Sequence, residues 1–167
     1  MNCIVNVTER WGIGMEGRLA VSIRADLHRF RDLTTGHTVV LGRKTLATFP
    51  GGRPLKSRQN IILTHDENFA VEGAMVFHDA DAVLAYAREK GHEDLWVIGG
   101  ESVYDQLVPY CRMAYVTKTL ADVPVDAYFP DLDRLPNWTV CEESPVEEEN
   151  GVRFQFVNYR NSSPLEV

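Results

Sequence analysis

The sequence predicts an α/β fold: a largely parallel sheet with helices on both faces and an antiparallel hairpin added at one edge. Three observations carry this. Short β-rich runs alternate with helical runs along most of the chain, the pattern of parallel strands joined by crossover helices. Two of the runs, "HTVVLG" and "LWVIGG", are apolar almost throughout, as strands are when both faces are covered. Near the end, "WTVCEES" and "VRFQFVNYR" are joined through Asn150-Gly151, a strong hairpin-turn signal.

Taken in order, "NCIVNV" is the first strand, and "TERWGIGMEG" (8–17) reads as a loop because of its glycines. Ser22 is placed to cap a helix over 23–33. "HTVVLG" is the next strand. "RKTLATF" is a short helix, "PGGRPLKSRQ" a Pro/Gly-rich loop, and "NIILT" and "AMVF" are strands. Asp79 caps the amphipathic segment "ADAVLAYAREK", which Gly91 ends. The strand "LWVIGG" follows, then the helix "ESVYDQLV" stopped by Pro109, then the strand "MAYVTKTL". Before Gly151, "EESPVEEEN" reads as a solvated, acidic hairpin loop.

A chain of 167 residues fits one domain with a sizeable core, assigned here to 1–160, with "NSSPLEV" (161–167) expected to be a disordered tail. The net charge of −7 argues against sequence-independent nucleic-acid binding, which needs a basic face. No apolar run approaches the roughly 20 residues of a membrane span, and the first ten residues lack the pattern of a secretory signal. Cys3, Cys111 and Cys141 are odd in number and widely spaced, giving neither a disulfide framework nor a metal-ligand pattern. The expectation is a cytoplasmic protein with reduced thiols and no metal.

Within "LAVSIRADLHRF" one acid sits on the apolar side of the helix. With Asp26 at zero, Leu33, Phe30, Ile23 and Leu27 fall at about −20°, 40°, 60° and 100°, respectively. Acids are rarely buried without a partner. Two explanations fit equally: a buried Asp satisfied by its neighbours, or a carboxyl lining an apolar cleft and facing a polar ligand. Two further motifs end strands in glycine. "VVLGRKT" passes from Gly42 into a helix opening with Arg43, Lys44 and Thr45, where backbone N–H groups and cations favour a phosphate, or where two basic residues simply begin a solvated helix. "WVIGGESVY" puts Gly99 and Gly100 between strand and helix, either to admit a phosphate or simply to ease a tight turn. The second is neither a Walker nor a Gly-x-Gly-x-x-Gly motif. Both lie at the carboxyl ends of strands, where open α/β sheets bind ligands.

Taken together, "IGMEGRL", "ADLHRF", "VVLGRKT", "GRPL", "RQNIIL", "WVIGGESVY", "YVTK" and "DAYFPD" resemble the dihydrofolate reductase family in order and spacing, over nearly the whole chain. The resemblance implies a central, mainly parallel eight-stranded sheet with four flanking helices and a C-terminal antiparallel hairpin. It implies NADPH-dependent reduction of 7,8-dihydrofolate to tetrahydrofolate, with hydride transfer to pterin C6 and protonation of N5, by a monomer that also binds antifolate inhibitors. Carried over to matching positions, it makes Asp26 the ionisable pterin contact, supported by Thr117, with Tyr104 beside nicotinamide and pterin. Ile4, Val5, Asn6, Val21 and Ile98 would surround the pterin. Leu27, Phe30, Phe49 and Leu55 would wall the p-aminobenzoyl group, and Arg58 would pair with the substrate's α-carboxylate. The cofactor set would be Ile13, Leu19, Gly42, Arg43, Lys44, Thr45, Leu63, Thr64, His65, Gly99, Gly100, Glu101, Ser102 and Val103. Arg43 would meet the adenosine 2′-phosphate, and "WGIGMEGRLAVS" would be a mobile loop closing over the nicotinamide.

The chain departs from the family pattern before its acid. Ala20-Val21 stand where the family usually has Pro-Trp, and Asn6 where a small apolar residue is usual. Val21 has neither the bulk nor the N–H of a Trp. Two rivals follow: a reductase of a related heterocycle, against which Arg58 and the apolar wall argue, and a catalytically silent folate- or nucleotide-binding module, against which Asp26 argues.

Overall fold

Strands and helices alternate in the predicted order. In a computed structural model, which describes residues 1–15 and 17–167, the chain runs β1 (Asn2–Val7), β2 (Gly12–Met15), β3 (Arg18–Leu19), α1 (Arg24–Thr34), β4 (Thr38–Gly42), α2 (Arg43–Ala47), β5 (Gln59–Leu63) and β6 (Ala74–Phe77). It continues through α3 (Ala80–Lys90), β7 (Leu95–Gly99), α4 (Glu101–Leu107), β8 (Met113–Thr119), β9 (Ala127–Tyr128), β10 (Trp138–Glu143), β11 (Glu147–Glu149) and β12 (Val152–Asn161). Glu16, within "IGMEGRL", lies outside the described residues.

The main sheet has the order β10-β12-β8-β1-β7-β4-β5-β6, with β11 paired to β12. The pairs from β8 to β6 are parallel; β12 runs antiparallel to β8, β10 and β11. This is the expected mainly parallel eight-stranded sheet with its terminal antiparallel strands and four helices. Alternation along each strand sorts the core into two faces. Val40 and Val97 pack with Val83, Leu84 and Ala87 of α3 and Val103 and Leu107 of α4. Val39, Leu41, Trp96 and Ile98 form the opposite cluster, on which Phe30 and Leu33 of α1 lie. Among the described residues no helix is long and apolar enough to cross a membrane.

Several local expectations are corrected. The 8–17 segment is not all loop: β2 pairs with β3, and also with β9 from far along the chain, in a separate small sheet. Two-residue strands, and a β2 whose every other residue is glycine, leave too little apolar pattern to read. Ser22 does not cap α1; Ile23 occupies that position with no side-chain bond. The Glu149 carboxylate instead accepts from the N–H groups of Arg24 (2.6 Å) and Ala25 (3.1 Å). The acidic loop contains β11, so Asn150-Gly151, with φ of 52° and 80°, joins β11 rather than β10 to β12. These are the left-handed conformations that a tight hairpin requires and that Asn and Gly adopt readily. Pro109 ends α4 through a 3₁₀ turn, Val108–Tyr110. In 161–167, Asn161 closes β12, the Leu165 N–H donates to the Pro109 carbonyl (3.0 Å) and Val167 packs on the core, where a disordered tail was expected.

Candidate active site

Asp26 is 9% exposed, and the sheet brings two donors to it. In the parallel pairing of β1 with β8, Asn6 stands opposite Thr117. Thr117 Oγ1 donates to Asp26 Oδ1 at 2.5 Å, and Asn6 Nδ2 donates to Oδ2 at 3.3 Å. Asn6 also donates to the Val21 carbonyl (3.1 Å), while its own Oδ1 accepts from Thr119 Oγ1 (2.7 Å). Burial pushes the Asp26 carboxyl above its ordinary range, against the opposing pull of Thr117, the Arg29 charge and Asn6. An ionised carboxylate offers about four acceptor sites. Two are taken by these donors, which leaves room for a ligand that brings a pair of N–H groups. Tyr104, 4% exposed, donates its hydroxyl to the Ile4 carbonyl at 2.7 Å, and burial raises its phenol well above the ordinary value. It is a neutral donor that ties α4 to β1.

The apolar residues expected to line a substrate come together on the face carrying α1. Phe30, Phe49 and Leu55 pack against a cluster that includes Ile4 and Ile98. Val5 points into the opposite core, and Val21 is half-buried beside Asn6. Leu27, at the edge of the apolar arc, is 45% exposed. Arg58 is anchored at one end of this wall. Its Nη1 donates to Thr34 Oγ1 (3.2 Å), its Nε to the Lys56 carbonyl (2.9 Å), and its guanidinium lies 6.0 Å from the Phe30 ring centroid. A guanidinium has five N–H donors, so the anchored side chain keeps donors for a carboxylate.

The two glycine-ended motifs meet at the carboxyl ends of adjacent strands. Gly42 of β4 stands opposite Leu63 of β5, and Leu41 opposite Gly99 of β7, so Arg43, Thr64 and Gly100 leave the sheet side by side. The backbone here is closely packed: a Cβ on Gly42 would lie 3.3 Å from Val103 Cγ2, and one on Gly100 3.3 Å from Thr45 Oγ1. Gly99 has φ of 126°, a conformation that side chains disfavour, and the Gly99-Gly100 peptide is cis. Such a bare, cation-flanked turn fits a dinucleotide phosphate. Lys44 and His65 are exposed. Arg43 pairs with Asp66 (2.8 Å) and lies 4.5 Å from the Phe69 ring centroid. Ser102 accepts from Gln106. Glu101 accepts from the Tyr128 N–H, linking α4 to the small sheet. Ile13 is buried in that sheet and Leu19 is 53% exposed.

Four contributors were missed in the sequence. Thr119 stands two residues after Thr117, on the same face of β8, and strand period alone could have found it. Asp66 immediately follows Thr64-His65. Arg29, at the border of the apolar arc, lies between the acid and β12: its Nη2 donates to Asn158 (2.7 Å), its guanidinium covers the Phe156 ring at 4.4 Å, and its buried Nη1 has no hydrogen-bond partner among the described residues. Glu149 carries no local signal of its capping role.

The family model described as Dihydrofolate reductase matches residues 1–161. The chain is 34% identical over 155 residues to a dihydrofolate reductase of Bacillus subtilis, covering 90% of this chain and 89% of that one. It is 32% identical over 171 residues to that of Drosophila melanogaster, covering 93% and 94%. Among solved structures, the dihydrofolate reductase of Enterococcus faecalis complexed with NADP(H) and RAB-propyl superposes with a TM-score of 0.85 at 31% identity, covering 96% of this chain and 95% of that one.

Proposed function

The chain belongs to the dihydrofolate reductase family, and from that premise we propose how its own residues serve the reaction. The protein is a dihydrofolate reductase that uses NADPH. The cofactor, when bound, supplies the hydride that reaches C6 of the 7,8-dihydrofolate pterin while N5 gains a proton from solvent, giving 5,6,7,8-tetrahydrofolate. Asp26 holds the pterin by accepting from its 2-amino and N3 hydrogens, and its negative charge favours the proton's arrival at N5. Thr117 orients the carboxylate, and Asn6 lies beside the pterin. Tyr104 stays protonated and fixes the Ile4 carbonyl at the edge of the ring site. Phe30, Phe49, Leu55 and Leu27 exclude water along the p-aminobenzoyl group, and Arg58 pairs with the α-carboxylate.

At the other end, Gly99 and Gly100 let the pyrophosphate approach the backbone, with Thr45, Glu101, Ser102 and Val103 around it. Arg43, Lys44, Thr64 and His65 receive the 2′-phosphate, Arg43 exchanging or sharing its contact with Asp66. Ile13 and Leu19 flank the nicotinamide. The same reading has the enzyme acting as a cytoplasmic monomer without a nucleic-acid partner, in keeping with its net charge of −7.

The observation that carries this assignment is the Asp26 carboxyl, buried beside the apolar wall with a donor from the protein on each oxygen. It is tested by following NADPH oxidation with dihydrofolate in wild type and Asp26→Asn. The variant should be severely impaired near neutral pH and less so in acid, where the pterin is protonated from solution. Comparable rates for the two proteins at neutral pH would remove Asp26 from the mechanism.

A further inference from the structure

We propose that Asn6 is a positioning residue for Asp26, holding it, together with Thr117, as an oriented carboxylate and coupling it to the chain at Val21. The orientation of the amide follows from its neighbours. The Val21 carbonyl can only accept, so the Asn6 NH₂ must face it, and the amide oxygen then faces Thr119, whose hydroxyl donates. The second NH₂ hydrogen is left for Asp26 Oδ2. Every polar atom of the Asn6 side chain is thereby engaged, and none of its donors can be withdrawn from Asp26 without leaving another group unmatched.

The sheet builds this arrangement. Asn6 and Thr117 are register partners on neighbouring parallel strands, so their side chains reach the two oxygens of one carboxylate. Two donors on two oxygens favour the charged acid, because a protonated carboxyl would have to turn a hydroxyl toward one of them. The other groups that face Asp26 are the Arg29 guanidinium from α1 and the buried Tyr104 phenol from α4; Arg29 is itself near Tyr115 of β8 and Glu142 of β10. Asn6 differs from these in touching both the carboxyl and the segment that enters α1. A shift of Val21 therefore reaches Asp26 through a single amide.

For its effect on turnover this rests on the reading of Asp26 as the pterin-holding acid; for its effect on the carboxyl it does not. The test separates the two. The Asp26 carboxyl is titrated in ligand-free protein by carbon-13 NMR of aspartate-labelled enzyme, its signal assigned by its loss in Asp26→Asn. Asn6→Ala should raise the midpoint by about one pH unit, the effect of one lost hydrogen bond to a charged group. Thr119→Val, which frees the amide without removing it, should shift it the same way by less. Asn6→Ser, retaining a short donor, should recover part of the change and serves if Asn6→Ala does not fold. An unmoved or lowered midpoint in the folded Asn6 variants overturns the proposal. The pH profile of dihydrofolate reduction should move with the carboxyl. A midpoint that moves beneath a fixed profile would uphold Asn6 and overturn the catalytic reading of Asp26.

Discussion

Ionised Asp26 keeps three favourable neighbours and loses most of its water. Thr117, Arg29 and Asn6 support the charge, while burial, the larger influence, opposes it, so the carboxyl in the folded protein titrates above its ordinary value of 3.8. Such a group binds its proton more tightly in the native state. Its contribution to stability is therefore present below the unfolded value and is lost as pH rises through the folded one. Asp26→Asn carries no charge at any pH, so its thermal midpoint should gain on wild type as pH rises from the ordinary carboxyl value of 3.8 through the raised folded one. A difference that stays flat across a series of melts in that range would show that the carboxylate is not held against its solvation. The position of Asp26 was legible from the arc of Ile23, Phe30 and Leu33. The polar contacts of Asn6 were not: its partners lie 15, 20 and 113 residues away, and the last comes within reach only through the register of β1 with β8.

Helix α1 shows what the elements add. Its apolar face was readable from periodicity, but its start was assigned to Ser22 because an N-cap is normally local. Here the first N–H groups are served by Glu149, across more than a hundred residues, and the acid also suits the positive end of the helix. Glu149→Ala should cost about 1 kcal/mol in urea denaturation, and Glu149→Gln, which keeps one acceptor, should cost less. An unchanged midpoint in Glu149→Ala would mean water serves these groups equally well. The small sheet of β3, β2 and β9 was hidden for a related reason: its strands are short, β2 alternates with glycine, and the sheet is completed by Ala127–Tyr128, far along the chain. Strands such as β4 and β7 needed no distant information, since burial on both faces is written in their own composition.

At the scale of the molecule, β12 is not a margin. It lies between β10 and β8, pairs with β11 as well, and carries Phe154, Val157 and Tyr159 into the interior at 2%, 1% and 1% exposure. Burying each such side chain is worth about 1.5–3 kcal/mol, comparable in sum to the whole stability of a domain of this size. A chain ending after Gly151 should lack a cooperative thermal transition and reduce no dihydrofolate. Cooperative melting of that truncated chain, followed by circular dichroism, would overturn this view of β12. The sequence announced the hairpin through Asn150-Gly151 but not that its second arm fills an interior seam, because the pairing partner β8 is chosen only when the sheet forms. The arrangement also sets an order in time. During synthesis the helix bearing Asp26 emerges early, but its partner Thr117 follows much later and its capping acid later still. The seam beside β8 is filled last. The nascent chain must pass through most of its elongation with an open strand edge exposed, a window in which it depends on chaperones or speed to avoid pairing with its neighbours.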